Sequence, residues 1–327
     1  MRIIARPTGV LLATAAFLLV SACGASTSGT SRAAGAEPGQ LHVVAAFYPF
    51  QFVAERVAGS HGWISSLTQP GAEPHDVELT PRQVASVADA DLVVYEKGFQ
   101  AAVDKAVTDS DTTTAFDTTT VVPLQPFEEG RGQGADGQVG ADQHAADPGS
   151  AEQSGLDPHV WLDPTNMITI TRAVARQLST ADPDHAADYA SNATVLESQL
   201  SALDAAFRSG LRTCQRREFI TTHAAFGYLA RDYGLTQIGI NGVSPDAEPS
   251  PARIADIQTE ARQYGVTTIF YETLVSPDIA KSIASDLHLR TDVLDPIEGI
   301  TDRSRGQDYL AVMKANLAAL QAANACR

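Results

Sequence analysis

"DPDHAADYASNATVLESQLSALDAAFRSG", residues 182–210, decides how this chain is divided. Ala190, Ala193, Leu196, Leu200, Leu203 and Phe207 recur at steps of three and four, which lines one face of a helix, and Gly210 supplies a stop. Some 26 residues of helix rise about 40 Å at 1.5 Å per residue, longer than most globular helices. The spacing predicts a rigid connecting helix over 183–210. What lies on either side of it sets the fold.

On the N-terminal side, "LHVVAAF" (41–47), "WISSLTQ" (63–69) and "DLVVYEK" (91–97) read as strands, with "VVPLQ" (121–125) as a last short one. Helical segments alternate with them: "FQFVAERVAG" closing on Gly59, "TPRQVASVAD" capped by Thr80 with Pro81 at its first position, and "FQAAVDKAVTD". On the C-terminal side, strands are expected at 217–223, 235–240, 267–273 and 290–295. Helices are expected at Ala224–Tyr233, Pro251–Tyr264, Pro277–Leu287 and Gln307–Ala323. Alternation of this kind predicts parallel sheets covered by helices. The chain therefore reads as α/β, with a lobe over 41–182, the connector over 183–210 and a second lobe over 211–327. Residues 127–155 interrupt the first lobe with seven glycines, six acidic residues and a single histidine, His144; this composition cannot join a core and predicts a flexible loop.

"MRIIARPTGVLLATAAFLLVSAC" opens with two arginines and an apolar run from Val10 to Val20, too short for a permanent membrane span. Residues 1–22 read as a secretory signal. Its end, "VSAC", resembles a bacterial lipobox, which makes Cys23 the acylated residue and 23–40 a flexible stalk above the membrane. The expected location is extracytoplasmic, with the N-terminal lipid as anchor. The formal net charge is −16, and loss of Arg2 and Arg6 with the leader makes it more negative. Such a surface argues against nucleic acid and is compatible with cationic ligands. Outside the cytoplasm Cys214 and Cys326 are expected to pair, tying the two ends of the second lobe together. Neither belongs to a C-x-x-C arrangement, which argues against a thiolate metal site.

Ligands of open parallel sheets bind beyond the carboxyl ends of the strands. Of the eight histidines, His75, His159 and His223 fall at that edge, and Asp295 ends the strand "RTDVLD". "LDPHVWLDP" (156–164) holds His159 between two Asp-Pro pairs just before the start of a helix. Three imidazoles and a carboxylate suit a borderline divalent cation. Taken singly, His75 could be a turn residue, His159 a packing partner of Trp161, His223 a satisfied strand end and Asp295 a helix cap. Spacing leaves both readings open.

The ordered motifs "PGAEPHDVELTP" (70–81), "DPHVWLDP" (157–164), "TTHAAFGYLARDYGL" (221–235) and "LDPIEGIT" (294–301) resemble the metal-binding lipoproteins of ABC-type zinc and manganese importers, most closely the zinc-uptake solute-binding proteins. The resemblance runs from residue 41 to the C-terminus. It implies two α/β lobes joined by one long helix, with metal in the cleft between them. His75 and His159 would be ligands from the first lobe, His223 and Asp295 from the second. The implied function is capture of Zn²⁺, with Mn²⁺ as a possible cargo, and delivery to an ABC permease and its ATPase. No catalysis is implied, and a monomer is expected. In manganese members the position matching His223 looks like a glutamate, so His223 points toward zinc. Zinc members commonly carry a histidine-dense loop where this chain has only His144, and Glu73 is left outside the ligand set. The alternatives are a manganese-binding homologue or a surface adhesin with the same site, and more remotely a secreted zinc hydrolase; no H-E-x-x-H is present, and Asp295 as fourth ligand would close the site.

Overall fold

Two four-stranded parallel sheets carry the chain in the computed structural model, which describes residues 39–110, 114–127, 155–245 and 247–327. The leader, Cys23, His144 and most of the acidic segment lie outside the described residues.

The first sheet comprises β1 (Leu41–Ala45), β2 (Gly62–Ser66), β3 (Leu92–Tyr95) and β4 (Ala115–Asp117), in the order β2-β1-β3-β4. Every residue of β3 is buried, as a strand covered on both faces requires. Helices α1 (Tyr48–Ala58), α2 (Pro81–Ala88) and α3 (Ala101–Asp109) follow the first three strands. At α2 the Thr80 hydroxyl accepts from the Gln83 N–H, while the Gln83 side chain accepts from the Thr80 N–H. The fourth strand differs from expectation. It is Ala115–Asp117, paired with β3 at the edge of the sheet, not Val121–Gln125. Gln125–Pro126 (β5) instead pairs antiparallel with Leu156–Asp157 (β6), and the Phe127 N–H donates to the Gly155 carbonyl at 2.8 Å, bringing together the two ends of the acidic segment.

Helix α4 (Pro164–Ala181) leads into α5 (Ala186–Gly210), the expected connector at 25 residues. Its buried stripe is Tyr189, Ala193, Leu196, Leu200, Leu203 and Phe207; Tyr189 rather than Ala190 begins it, with its hydroxyl donating to Asp182 at 2.7 Å. The connector is more than a strut. It lies along α4 and also packs against α1 and the last helix, α9 (Tyr309–Asn324).

The second sheet comprises β7 (Glu218–Thr221), β8 (Thr236–Gly239), β9 (Thr268–Tyr271) and β10 (Arg290–Val293), in the order β10-β9-β7-β8. Helices α6 (Gly227–Asp232), α7 (Pro251–Tyr264) and α8 (Asp278–Asp286) link its strands. Ile220, Ile238, Ile257, Ile269 and Ile283 form a separate core on one face. The other face, through Phe219 and Phe270, joins a core that continues to Trp161 and the first sheet. Cys214 and Cys326 form a disulfide that ties the lead-in of β7 to the end of α9. Among the described residues no helix is long and apolar enough to cross a membrane.

Candidate metal centre

The segments that follow β2, β7 and β10 meet the Asp157–Asp163 turn at one place between the two sheets. His75 stands in the loop after β2, where its N–H donates to Glu73 Oε1 at 3.1 Å and its side chain is 4% exposed. His159 is fully buried; its N–H and its Nδ1 lie 3.0 and 2.9 Å from Asp157 Oδ1. Asp163 then caps α4 by accepting from the Thr165 N–H, as the Asp-Pro pair predicts. His223 follows β7, with Nδ1 2.8 Å from Glu272 Oε1. The Thr222 hydroxyl donates to the same oxygen.

These three imidazoles surround Glu298, which is completely buried. Glu298 Oε1 lies 3.4 Å from His75 Nε2 and 3.5 Å from Nε2 of both His159 and His223. One ligand atom from each of the four residues falls within 4.8 Å of all the others. The Nε2 atoms of His159 and His223 and both Glu298 oxygens have no hydrogen-bond partner. Buried polar atoms left so are costly unless something else satisfies them. Corners of a tetrahedron around zinc, with bonds near 2.0–2.1 Å, are separated by about 3.4 Å, which matches the imidazole–carboxylate spacing. The Nδ1 contacts of His159 and His223 with carboxylates direct Nε2 toward the centre. The residues could hold a tetrahedral divalent cation.

Burial alone would lower the His223 imidazole, but the carboxylates of Glu272 and Glu298 outweigh it and hold the group well above its usual value. Burial would likewise raise Glu298; the imidazoles of His159, His223 and His75 outweigh it and hold the carboxyl well below its usual range. Burial and then the charge of Glu298 push Glu73 up to about 8.

The structure brings His75, His159 and His223 together but places Asp295 elsewhere. Asp295 Oδ1 accepts from the Ile297 N–H at 2.8 Å, and Oδ2 accepts from the Thr273 hydroxyl at 3.0 Å. Burial pushes its carboxyl up to about 6. The carboxylate that reaches the imidazoles is Glu298, three residues on, because the chain turns at Pro296 and Ile297 after leaving β10. Glu272 was also absent from the expected site, although "TTIFYET" ends at the edge that points to it.

Two parallel-sheet halves on a helical spine, with a buried three-histidine, one-carboxylate centre between them, define a solute-binding protein of the metal type. The chain matches the family "Zinc-uptake complex component A periplasmic" over residues 43–323, and it belongs to that family. It is 34% identical over 327 residues to the high-affinity zinc uptake system protein ZnuA of Bacillus subtilis, covering 96% of each chain. It is 35% identical over 291 residues to the zinc-binding protein AdcA of Streptococcus pyogenes serotype M6, covering 86% of this chain and 56% of that protein, so it spans little more than half of AdcA. The crystal structure of the Zn(II)-bound ZnuA-like domain of Streptococcus pneumoniae AdcA superposes with a TM-score of 0.69 at 32% identity, covering 88% of this chain and 99% of that domain.

Proposed function

We propose that this protein captures Zn²⁺ outside the cytoplasm and delivers it to an ABC-type permease driven by its ATPase, with His75, His159, His223 and Glu298 as the ligands. The observation that carries this reading is the convergence of three imidazole nitrogens and one carboxylate oxygen within 4.8 Å in a buried site. Two ligands come from each half of the molecule, so separating the halves dismantles the site and frees the ion. Four protein ligands complete a tetrahedral shell and leave no open position for an activated water, which favours carriage over hydrolysis. Three nitrogen donors favour zinc over manganese. Cys23 carries the lipid that holds the monomer at the membrane.

Metal analysis of protein purified without added metal, followed by competitive titration, tests the site: one zinc per chain is expected, bound more tightly than manganese. Unchanged zinc affinity in His223→Ala would sink the ligand assignment. Delivery is tested by deleting the gene, which should stop growth in zinc-chelated medium until zinc is restored.

A further inference from the structure

The turns that present three of the four clustered residues share one local construction, an acidic residue followed by proline. In Glu73-Pro74-His75 the Glu73 carboxylate accepts from the His75 N–H at 3.1 Å. In Asp157-Pro158-His159 the Asp157 carboxylate accepts from the His159 N–H at 3.0 Å. In Asp295-Pro296-Ile297 the Asp295 carboxylate accepts from the Ile297 N–H at 2.8 Å. Proline has no N–H and a fixed φ, so the next N–H becomes the donor that closes the turn. At the first two turns the clamped residue is itself the histidine. At the third it is Ile297, and Glu298 comes next.

Ile297 is completely buried with φ of 60°. A β-branched residue in the left-handed region is strained and keeps that conformation only where its surroundings impose it. Asp295 supplies much of that hold. Its backbone is fixed in turn by Asn316, whose Oδ1 accepts from the Asp295 N–H at 2.9 Å and whose Nδ2 donates to the Asp295 carbonyl at 2.7 Å. From the other half, Trp161 Nε1 donates to the Pro296 carbonyl at 2.7 Å.

We infer that Asp295 is a positioning residue: its carboxylate clamps the strained turn that aims Glu298 into the centre, and it does not bind metal itself. This rests on Glu298 being a ligand. Zinc affinity, the d–d spectrum of the Co²⁺-loaded protein and the melting temperature of the metal-free protein test it in Asp295→Ala, Asp295→Asn, Glu298→Gln and the Asp295→Ala/Glu298→Gln double variant. Asp295→Ala should weaken zinc by about 10- to 100-fold, the usual cost of losing an outer support of a ligand, with a cobalt spectrum like that of Glu298→Gln. Asp295→Asn keeps an oxygen for the Ile297 N–H and should stay within about threefold of wild type, whereas an amide replacing a metal-bound carboxylate would lose as much as alanine. The double variant should bind no more weakly than Glu298→Gln alone. An Asp295→Asn loss equal to that of Asp295→Ala, or additive losses in the double variant, would overturn the inference and leave Glu298 as ligand. Unchanged zinc affinity in Glu298→Gln would remove the ligand reading and the inference together. If Asp295→Ala does not fold, the asparagine variant decides.

Discussion

Nδ1 of His223 lies 2.8 Å from Oε1 of Glu272, and the Thr222 hydroxyl donates to that same oxygen. The contact assigns the Nδ1 proton to the carboxylate side and leaves Nε2 as the donor atom in the proposed metal site. Glu272→Gln keeps an oxygen acceptor and removes the charge, so zinc affinity should fall by about tenfold; Glu272→Ala also frees the ring and should approach a 100-fold loss. Competitive chelator titration measures both. Wild-type affinity in the alanine variant would show that Glu272 does not act on His223.

The metal-free protein should lose stability as pH rises past neutrality, and Glu73 supplies part of that loss. Its carboxyl titrates at about 8, above its ordinary 4.5, through burial and the charge of Glu298. A group whose folded pKa is raised binds its proton more tightly in the folded state. The resulting stability is fully present below about 4.5 and is lost as pH rises through about 8. Glu73→Gln keeps the acceptor for the His75 N–H without the ionisation. Its melting temperature relative to wild type should therefore rise more at pH 8.5 than at pH 5; an equal difference at both would exclude Glu73 as the cause.

Much of this architecture was legible because strong local signals agreed with the tertiary fold. The connector's three- and four-residue spacing, the Thr80-Pro81 helix start and the all-apolar core of β3 each had one reading. β4 was missed because Phe116 is its only buried residue, too little for an apolar pattern. The exchange of Glu298 for Asp295 has a different origin. A strand end can be inferred from periodicity, but a left-handed turn at Ile297 cannot, and that turn carries the chain past Asp295 to Glu298. The signal that could have found it was "DP" itself: Asp157 and Asp295 both precede proline, and both clamp the N–H two residues on.

Breaking the Cys214–Cys326 disulfide should cost stability but not the fold. The cysteines are 112 residues apart, for which the chain-entropy model gives about 4–5 kcal/mol. The same junction keeps other ties: the N–H groups of Gln215 and Arg216 donate to the Asn324 carbonyl, and the Arg216 guanidinium donates to the Ala323 carbonyl. Cys214→Ser should accordingly lower the melting temperature by up to about 10 °C while zinc stoichiometry stays at one. Two free thiols by mass in alkylated, non-reduced protein would rule out the bridge.

Replacing residues 130–152 with a short Gly-Ser linker should leave zinc affinity within a few-fold of wild type. Phe127 and Gly155 are joined at the base of this segment by a hydrogen bond of 2.8 Å, so a short linker spans the gap. The four clustered residues all lie outside the segment. A loss of 100-fold or more in competitive titration would show that the segment contributes to binding.

His223→Glu tests the choice of metal most directly. Imidazole favours zinc, whereas carboxylate oxygens suit harder ions such as manganese. The substitution leaves two nitrogen donors, pairs the new carboxylate with Glu298 and permits bidentate coordination beyond four ligands. Zinc should weaken while manganese weakens less or gains, narrowing the ratio between them. His223→Ala should weaken both, because water must fill the open position. The His223→Glu protein also sets a third carboxylate beside Glu272 and Glu298 in place of an imidazole that their charges hold well above its usual pKa. Its metal-free form should therefore melt below wild type at pH 8, and the gap should shrink as pH falls and carboxylates take up protons. Zinc binding by wild type should run the opposite way: protons compete for His223, so affinity should begin to fall above the usual histidine value of about 6.5 as pH is lowered. Zinc and manganese titrations of the three proteins, with melting temperatures of the metal-free wild type and His223→Glu, each at two pH values, supply these comparisons. A zinc-to-manganese ratio unchanged in His223→Glu would show that residue 223 does not set the preference.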